Sequence, residues 1–377
     1  MEWLNLRRMG IELTEAARTT GETGKLRRQL LKWYAENRRD LPWRRNPEPY
    51  AIWVSEIMLQ QTRVAVVVER YQAFMARFPT LISLALAPEQ EVLALWSGLG
   101  YYRRARMLHK AAQFVANQRE GNLPATAVEL RTLPGIGAYT AAAIASIAHG
   151  EPVAVVDGNV ERVLCRLQGW DAGGRTGGAA LKRRIVDLAG QLVDPKQPGD
   201  YNQALMELGA TVCLPRNPHC LVCPVSGHCK TRGEHKTAAR PRMLSREIAH
   251  ALSVRTGPHP NPAAREVLLE QRPASLTVMP GMWELPALRS AAVPGKDLRM
   301  TVRHAIMQVN YYVRIRTVFE DDVEAMTVAG GERRWVPLGE AAGMALTGLA
   351  RKVLARAHLL RTVALDAIAP MSDDEVT

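Results

Sequence analysis

Four cysteines within seventeen residues constrain this chain more than any other feature of its sequence. Cys213, Cys220, Cys223 and Cys229 are separated by six, two and five residues. No continuous apolar leader is seen at the N-terminus, so we expect a reducing, cytoplasmic location, where clustered cysteines bind metal more often than they form disulfides. Four thiolates at this spacing can surround one iron–sulfur centre. Structural zinc, which more often uses two separated Cys-x2-Cys pairs, is the alternative.

Two kinds of hydrophobic periodicity divide the chain. Over residues 25–231 apolar side chains recur every three or four positions, which predicts an all-α region. The helical segments are Leu26–Tyr34, Ile52–Phe78, Glu89–Trp96, Ala105–Val115, Ala138–Ala148 and Asn202–Val212. Residues 232–246 lose this periodicity and are rich in Arg, Lys, Pro and Thr, as expected of a linker. Residues 1–24 and 361–377 are expected to be tails, the second of them acidic.

Beyond the linker the hydrophobic period becomes two, which is typical of strands. Strands are predicted at Glu247–Arg255, Arg265–Gln271 and Tyr311–Glu320, before an amphipathic helix at Thr347–Leu360. We therefore predict a multidomain protein, in which the all-α region is followed by a small α+β domain over residues 247–360.

The charge balance indicates a polyanionic partner. Lys and Arg number 49 against 37 Asp and Glu, a formal net charge of +12. Such an excess suits nucleic acid or an anionic membrane surface. No apolar run approaches the roughly 18 residues needed to span a bilayer, and we expect no membrane partner.

A short glycine-containing turn lies at 133–137, between two predicted helical segments. Gly135 and Gly137 permit a tight turn with uncovered backbone N–H groups, directly before the next helix begins. Amides beside a helix N-terminus bind anions such as a DNA phosphate. A plain helix–helix turn would use the same glycines, but the second glycine and the positive charge favour phosphate binding.

Two acidic residues lie in sequence contexts that suit catalytic carboxyl groups. Glu56 has apolar neighbours within Trp53–Thr62, which would raise its pKa towards that of a general acid at neutral pH. Asp157 follows the apolar run Pro152–Val156. Taken singly, each has an ordinary explanation, a paired buried Glu and a helix N-cap Asp. Their order along the chain, with the glycine turn between them and the cysteines after them, favours a catalytic pair.

Residues 25–231 resemble the catalytic region of MutY-type adenine DNA glycosylases, which belong with endonuclease III to the helix-hairpin-helix glycosylases. The matching stretches are LPWR (41–44), VSEIMLQQTRV (54–64), LWSGLGYYRRAR (95–106), LPGIGAYTAAAI (133–144), VDGNVERVL (156–164) and YNQALMELGATVC (201–213). The resemblance implies a helix-hairpin-helix over about residues 126–149 and a [4Fe–4S] cluster held by the four cysteines. The C-terminal domain is more weakly similar to the family's Nudix-like module, through MPGMWELP (279–286).

The resemblance also implies an activity, with roles for particular residues. The enzyme would act as a monomer on double-stranded DNA and remove adenine mispaired with 8-oxoguanine or guanine. Glu56 would protonate the flipped adenine, and Asp157 would stabilise or trap the cationic sugar. Asn159 would orient Asp157, and Tyr139 would form a hydrogen bond within the same site. The implied substrate contacts are Trp43, Arg44 and Gln203 around the adenine, Gln61, Thr62, Leu99 and Tyr101 as a wedge near the opposite base, and Gly135 and Gly137 on a phosphate.

One stretch departs from the family pattern. MutY-type enzymes usually carry a His-x-Phe-Ser-His loop that senses 8-oxoguanine, and here the corresponding residues are His304 to Gln308. His304 is kept, but Ile306, Met307 and Gln308 replace Phe, Ser and the second His. We therefore expect weaker discrimination between 8-oxoguanine and guanine.

Particular residues argue against three other activities. An endonuclease III-like glycosylase/lyase would carry a Lys where this chain has Tyr139, and a Tyr cannot form a Schiff base. A thymine/guanine mismatch glycosylase would share the Tyr and the cluster, but Glu56 within SEIMLQQT argues against it. Nudix hydrolysis needs a Gly-x5-Glu-x7-Arg-Glu-x2-Glu-Glu pattern, which follows no glycine of the C-terminal domain, so this domain is expected only to bind.

Overall fold

The structure is a computed structural model that describes residues 21–170, 178–235, 242–257, 265–328 and 330–360. The chain splits into two compact units, each discontinuous in sequence. The first unit comprises Met1–Ile57 and Gln118–Ala239, and the second comprises Met58–Asn117 and Arg240–Thr377. Residues 21–24, expected to be tail, are already helical. Residues 1–20, the expected C-terminal tail and the centre of the expected linker lie outside the described residues.

Helices make up most of the chain before residue 212. They are α1 (21–37), α2 (Pro42–Arg45), α3 (Pro49–Leu59), α4 (Val64–Arg77), α5 (Leu81–Leu86), α6 (Glu89–Leu95), α7 (Arg103–Arg119), α8 (Ala127–Leu130), α9 (Ala138–His149), α10 (Gly158–Gln168), α11 (Ala179–Leu192) and α12 (Pro198–Thr211). The single helix expected over Ile52–Phe78 was wrong: it is broken between α3 and α4, where Gln61 has a φ of 55°. Within the described ranges, no helix is long and apolar enough to cross a membrane.

The C-terminal part of the second unit combines strands with short helices. The elements are β1 (Leu244–Leu252), β2 (Val254–Thr256), β3 (Arg265–Gln271), β4 (Trp283–Glu284), β5 (Leu298–Ile306), β6 (Val309–Thr317), α13 (Val323–Met326), β7 (Arg333–Pro337), α14 (Leu338–Ala341) and α15 (Gly348–Arg356). One sheet has the order β1-β6-β5, with β1 parallel and β5 antiparallel to β6. In the other, β3 pairs antiparallel with β2, β4 and β7. The expected α+β composition of this region is therefore confirmed.

Helix α12 organises the first unit because glycines let it approach two neighbours closely. A Cβ at Gly199 would lie 2.8 Å from the carbonyl oxygen of Ser146 on α9. At Gly209 it would lie 2.7 Å from the Cβ of Asn159 on α10. Between these contacts, Tyr201, Ala204, Leu205 and Leu208 are buried in the core. Only glycine permits this close packing, and it fixes α12 against the helices that carry the candidate site.

Candidate active site

Glu56 and Tyr139 form the centre of the candidate site in the first unit. Glu56 lies on α3 and is 5% exposed, and Tyr139 lies in the first turn of α9. The Tyr139 hydroxyl donates to Oε2 of Glu56 at 2.6 Å. Burial raises the pKa of Glu56 to about 7, the charge of Asp157 adds to this, and the hydrogen bond from Tyr139 opposes it. A carboxyl group with this pKa can donate a proton near neutral pH.

Asp157 is held as the N-cap of α10. Its Oδ1 accepts from the backbone N–H of Val160 at 2.7 Å, and its Oδ2 accepts from Nδ2 of Asn159 at 3.1 Å. Asn159 in turn accepts through Oδ1 from Nη2 of Arg162 at 2.9 Å. Asp157 is thus an N-cap whose carboxylate is also hydrogen-bonded to the side chain of Asn159.

The segment before Asp157, which belongs to no helix or strand, is fixed by a residue of α12. Asn202 is 1% exposed, and its Nδ2 donates to the carbonyl oxygen of Val153 at 2.8 Å. Its Oδ1 accepts from the N–H of Val155 at 3.1 Å. This side chain takes the place of a neighbouring strand, and it holds the segment that positions Asp157.

A buried carboxylate anchors Arg44, one of the residues expected around the adenine. Glu207 on α12 is 1% exposed and accepts two hydrogen bonds from the side chain of Arg39, at 2.7 and 2.8 Å. It also accepts one from Nη2 of Arg44 at 2.8 Å. Burial opposes ionisation, but the bonds from Arg39 and Arg44 outweigh it and lower the pKa of Glu207 to about 2. Arg44 follows the buried Trp43 on α2, and the half-buried Gln203 lies one turn before Glu207 on α12.

The glycine turn joins α8 to α9 in the form expected of a hairpin. Leu133 and Ile136 are buried, whereas Gly135 and Gly137 are exposed. Gly135 has a φ of 76°, a conformation that glycine adopts without strain. Gly137 is the N-cap of α9. The apolar residues anchor the turn, so its backbone faces solvent beside a helix N-terminus, where anions bind.

The four cysteines line one cavity of the first unit, together with Arg166 and Arg232 among others. Cys213 Sγ accepts from Nη1 of Arg166 at 3.3 Å, and Cys229 Sγ accepts from the backbone N–H of Arg232 at 3.4 Å. In the described residues, no three His, Cys, Asp or Glu side chains converge as ligands of a single ion. Burial raises the pKa of the Cys223 thiol to about 11, so a bare thiolate is disfavoured there. Four sulfurs around one cavity, with N–H donors directed at two of them, fit an iron–sulfur cluster.

The residues expected to wedge into the duplex lie on two loops of the second unit. Gln61 and Thr62 lie between α3 and α4, and Leu99 and Tyr101 lie between α6 and α7. Thr62 Oγ1 donates to the carbonyl oxygen of Leu99 at 3.4 Å, which joins the loops. Gln61 is exposed and Tyr101 is 54% exposed, whereas Leu99 is buried. The structure therefore brings these four residues together, with two of them directed outward.

The stretch expected to be a loop at residues 304–308 is mostly strand, and this expectation was wrong. His304 and Ile306 belong to β5, and only Met307 and Gln308 form the turn into β6. His304 is half-buried, and a Cβ on Gly348 would lie 3.2 Å from its ring. Gln308 is exposed, and Met307 is 79% exposed with a φ of 54°. The tight turn leaves Met307 and Gln308 as the accessible part of this stretch.

Sequence reasoning missed several polar residues that hold the site. Arg39 binds Glu207 across 168 positions, and Arg162 binds the carbonyl oxygen of Cys213 across 51, so no local pattern links these partners. The available signal was weak. Glu207 is a charge amid the apolar residues of α12, and Arg162 follows Asn159 at helical spacing.

Two family models of known proteins match this chain. Residues 54–181 match the family model described as HhH-GPD superfamily base excision DNA repair protein. Residues 213–229, which begin and end at the outer cysteines, match the iron–sulfur binding domain of endonuclease III. Fold and site thus define a helix-hairpin-helix base-excision repair protein, and the 213–229 segment carries a [4Fe–4S] cluster.

Individual relatives narrow the class. An adenine DNA glycosylase of Homo sapiens is 50% identical over 224 residues, which cover 57% of this chain and 41% of that protein. One of Mycolicibacterium smegmatis is 45% identical over 206 residues, covering 54% of this chain and 68% of that protein. The chain belongs to the adenine DNA glycosylase family. It spans less than half the length of the human and rat relatives that it matches.

Among solved structures, a thermostable thymine-DNA glycosylase superposes with a TM-score of 0.52 at 30% sequence identity. The match covers 57% of this chain and 98% of the other. The helical fold is therefore shared with a glycosylase named for a different base.

Proposed function

We propose that this chain hydrolyses the N-glycosidic bond of adenine mispaired with 8-oxoguanine or guanine in double-stranded DNA, and that it acts as a monomer. The observation that carries the proposal is the buried Glu56, hydrogen-bonded to Tyr139 and electrostatically coupled to Asp157. A proton donor and an oriented carboxylate are what cleavage of a glycosidic bond through a cationic sugar requires.

Substrate binding begins with extrusion of the adenine, since its glycosidic bond cannot be reached inside a duplex. Trp43, Arg44 and Gln203 are proposed to line the pocket that receives the base. The hydrogen bond from Arg44 to the buried Glu207 supports this role, because it fixes the guanidinium before the base arrives. The exposed amides of Gly135 and Gly137 are proposed to hold a phosphate of the same strand.

In the chemical step, Glu56 gives its proton to the purine ring as the glycosidic bond breaks. The bonding electrons leave with the adenine, which departs neutral. Asp157 then faces a positively charged sugar, which it stabilises or traps as a covalent ester. A water molecule adds to C1′, breaking the bond to Asp157 where the ester has formed, and gives its proton to the Glu56 carboxylate. This leaves an abasic site and restores both carboxyl groups.

We propose that the reaction stops there, without strand cleavage. A lyase needs an amine to form a Schiff base with the sugar, and the corresponding position holds Tyr139. Borohydride should therefore not trap a stoichiometric protein–DNA adduct during turnover. A stoichiometric adduct would contradict this part of the proposal.

Cys213, Cys220, Cys223 and Cys229 are proposed as the ligands of the cluster. When bound, the cluster supplies a rigid covalent crosslink rather than redox chemistry for base removal. Residues of the loop between the first two ligands, Arg216 and His219, then face the DNA backbone. The hydrogen bonds from Arg162 to the carbonyl oxygen of Cys213, at 2.8 Å, and to Asn159 support a link between this segment and Asp157.

The second unit is proposed to examine the opposite base. Gln61, Thr62, Leu99 and Tyr101 would fill the duplex around it, and the Nudix-like C-terminal domain would bind without hydrolysing nucleotides. Met307 has no hydroxyl group, so the hydrogen bond that selects 8-oxoguanine must come from Gln308 or from the catalytic region. We therefore propose weakened discrimination between 8-oxoguanine and guanine.

A thymine/guanine mismatch glycosylase is the second candidate, favoured by the thymine-DNA glycosylase structure that is 30% identical. Duplexes with adenine opposite 8-oxoguanine, adenine opposite guanine and thymine opposite guanine distinguish the two. After incubation, alkali cleaves at any abasic site. We expect cleavage at adenine only, and cleavage at thymine alone would overturn the proposal.

The Glu56→Gln variant tests the mechanism on the same substrates. It keeps the size of the side chain but has no proton to give, so single-turnover adenine release should fall about a hundredfold or more. Binding to the mispaired duplex should remain near that of the wild type, because phosphate contacts dominate affinity. Wild-type release rates in this variant would refute the assignment of Glu56.

A further inference from the structure

Two loops of the second unit share an unusual backbone conformation. Gln61 has a φ of 55° and Tyr101 a φ of 49°, both in the left-handed region that disfavours residues other than glycine. Each residue is exposed at the tip of its loop. Strained residues at two neighbouring tips persist only where the surrounding structure holds them.

A single side chain contacts both loops. Arg104, on α7, donates from Nη1 to the carbonyl oxygen of Gln60, in the first loop. Its Nη2 donates to the carbonyl oxygens of Leu99 and Gly100 in the second loop, each at 3.3 Å, and to Thr62 Oγ1 at 3.2 Å. The residues just before Gln61 and Tyr101 are therefore held by two nitrogens of one planar guanidinium.

The environment of Arg104 indicates that these contacts matter energetically. The guanidinium carbon lies 5.2 Å from the ring centre of Tyr101, within the range of a cation–π interaction. Burial lowers the pKa of Arg104 to about 10, so the group remains charged at neutral pH but is partly removed from water. Hydrogen bonds from a desolvated cation to carbonyl oxygens are stronger than those between neutral groups.

We infer that Arg104 is a positioning residue that fixes the two loops together, so that Gln61 and Tyr101 meet the duplex as one preformed unit. This inference rests on the proposed function, in which those two residues enter the DNA. Preforming both loops removes the cost of ordering them during binding. Arg104 itself acts through the loop carbonyl oxygens and needs no contact with the DNA.

Two variants with the same change in charge test the inference. Arg104→Met removes the guanidinium that ties the loops, and Arg103→Met removes an exposed cation one residue earlier. We expect Arg104→Met to lower the affinity for a mispaired duplex, relative to a fully paired duplex, by about tenfold. Arg103→Met should weaken both affinities alike. If Arg104→Met only destabilised the fold, the affinities for the mispaired and the fully paired duplex would fall alike. An unchanged ratio of these two affinities in Arg104→Met therefore overturns the inference.

Hydrogen exchange in the free protein gives a second measurement that needs no activity. In Arg104→Met, amides of residues 60–63 and 98–101 should exchange about tenfold faster, whereas those of α9 and α12 should keep their rates. Arg104→Lys keeps the charge but cannot bridge the loops, so it should fold normally and show the same local increase. Unchanged exchange in both variants would contradict the inference. If the wild type released no adenine, the proposed function would fail. The hydrogen-exchange rates of the two loops would still show whether Arg104 holds them together.

Discussion

The hydroxyl of Tyr139 donates a 2.6 Å hydrogen bond to the carboxyl group of Glu56, across 83 positions of the chain. Glu56 is buried on α3, and Tyr139 lies in the first turn after the glycine hairpin. The bond connects the residue proposed to donate the proton to the element proposed to hold the DNA backbone. It also sets the protonation of Glu56, because it stabilises the ionised carboxylate against the effect of burial.

This bond leads to a prediction about the pH dependence of adenine release. Glu56 must be protonated to act, so the single-turnover rate should fall as the pH rises through about 7. Tyr139→Phe removes a bond that lowers the pKa of Glu56, so the falling limb should move to higher pH. Rates measured across this range check the direction, and a limb that moves to lower pH would contradict it.

The same shift affects stability. The pKa of Glu56 is raised in the folded protein from 4.5 to about 7, so its contribution favours folding below 4.5 and is lost as the pH rises through about 7. In Glu56→Gln this loss should disappear. Denaturant unfolding of both proteins at several pH values measures the difference, and parallel curves would show that Glu56 does not titrate as stated.

The ion pairs of Glu207 with Arg39 and Arg44 predict that loss of the Glu207 charge lowers stability strongly. Glu207→Gln removes the charge that compensates the largely buried Arg44 and the half-buried Arg39, so the free energy of unfolding should fall by about 3 kcal/mol. The exposed pair of Asp40 and Arg45 provides the control, since Asp40→Asn should change stability little. Because the pKa of Glu207 is about 2, this contribution is present above 4.5 and is lost as the pH falls through about 2. Equal effects of the two substitutions would contradict the prediction.

Removal of a cluster ligand should alter the protein in two measurable ways. The wild type should show visible sulfur-to-iron absorbance, which Cys213→Ala should weaken together with the iron content. The substitution should also slow adenine release, because Arg162 joins the carbonyl oxygen of Cys213 to Asn159. Cys165→Ala is the matched control, since Cys165 is buried and does not line that cavity. Stoichiometric zinc without iron in the anaerobically prepared wild type would refute the cluster.

Within the second unit, Arg351 should stabilise the contact between α15 and the α6–α7 loop. Its Nε donates to the buried Ser97 Oγ at 2.7 Å, and the Tyr102 hydroxyl donates to the carbonyl oxygen of Leu346 at 3.2 Å. Arg351→Met should lower the free energy of unfolding by about 2 kcal/mol. Arg356→Met, on the exposed side of the same helix, should change it much less. Denaturant unfolding of both variants measures this, and comparable losses would show that the Ser97 contact is unimportant.

The β5–β6 turn provides a test of base discrimination. Replacing Ile306, Met307 and Gln308 with Phe, Ser and His restores the usual pattern, and the preference for 8-oxoguanine over guanine should rise about tenfold or more. Met307→Ser alone shows how much of this rise comes from the serine hydroxyl group. The measurement is the ratio of affinities for the two duplexes. If the restored and native proteins give the same ratio, this turn is not the reader.

Several features were predictable because they depend on local spacing. The cysteine intervals, the 3.6-residue periodicity of α9 and α12 and the order Glu56, glycine hairpin, Asp157 are all properties of short segments. Periodicity was less informative at β5, where Val302 alone is fully buried because the strand lies at the edge of its sheet. It also failed between α3 and α4, since an apolar pattern can continue through a break in the backbone.

The sequence by itself determined the class of protein, its helical segments, the cluster-binding segment and the two carboxylates. Tertiary structure alone decided which polar groups meet: Tyr139 with Glu56, Glu207 with Arg39 and Arg44, and Arg104 with two loops. The physical reason is that a helix or strand pattern reports which face of a segment is buried. The partner of a buried charge depends instead on packing between segments that lie 40 to 170 residues apart.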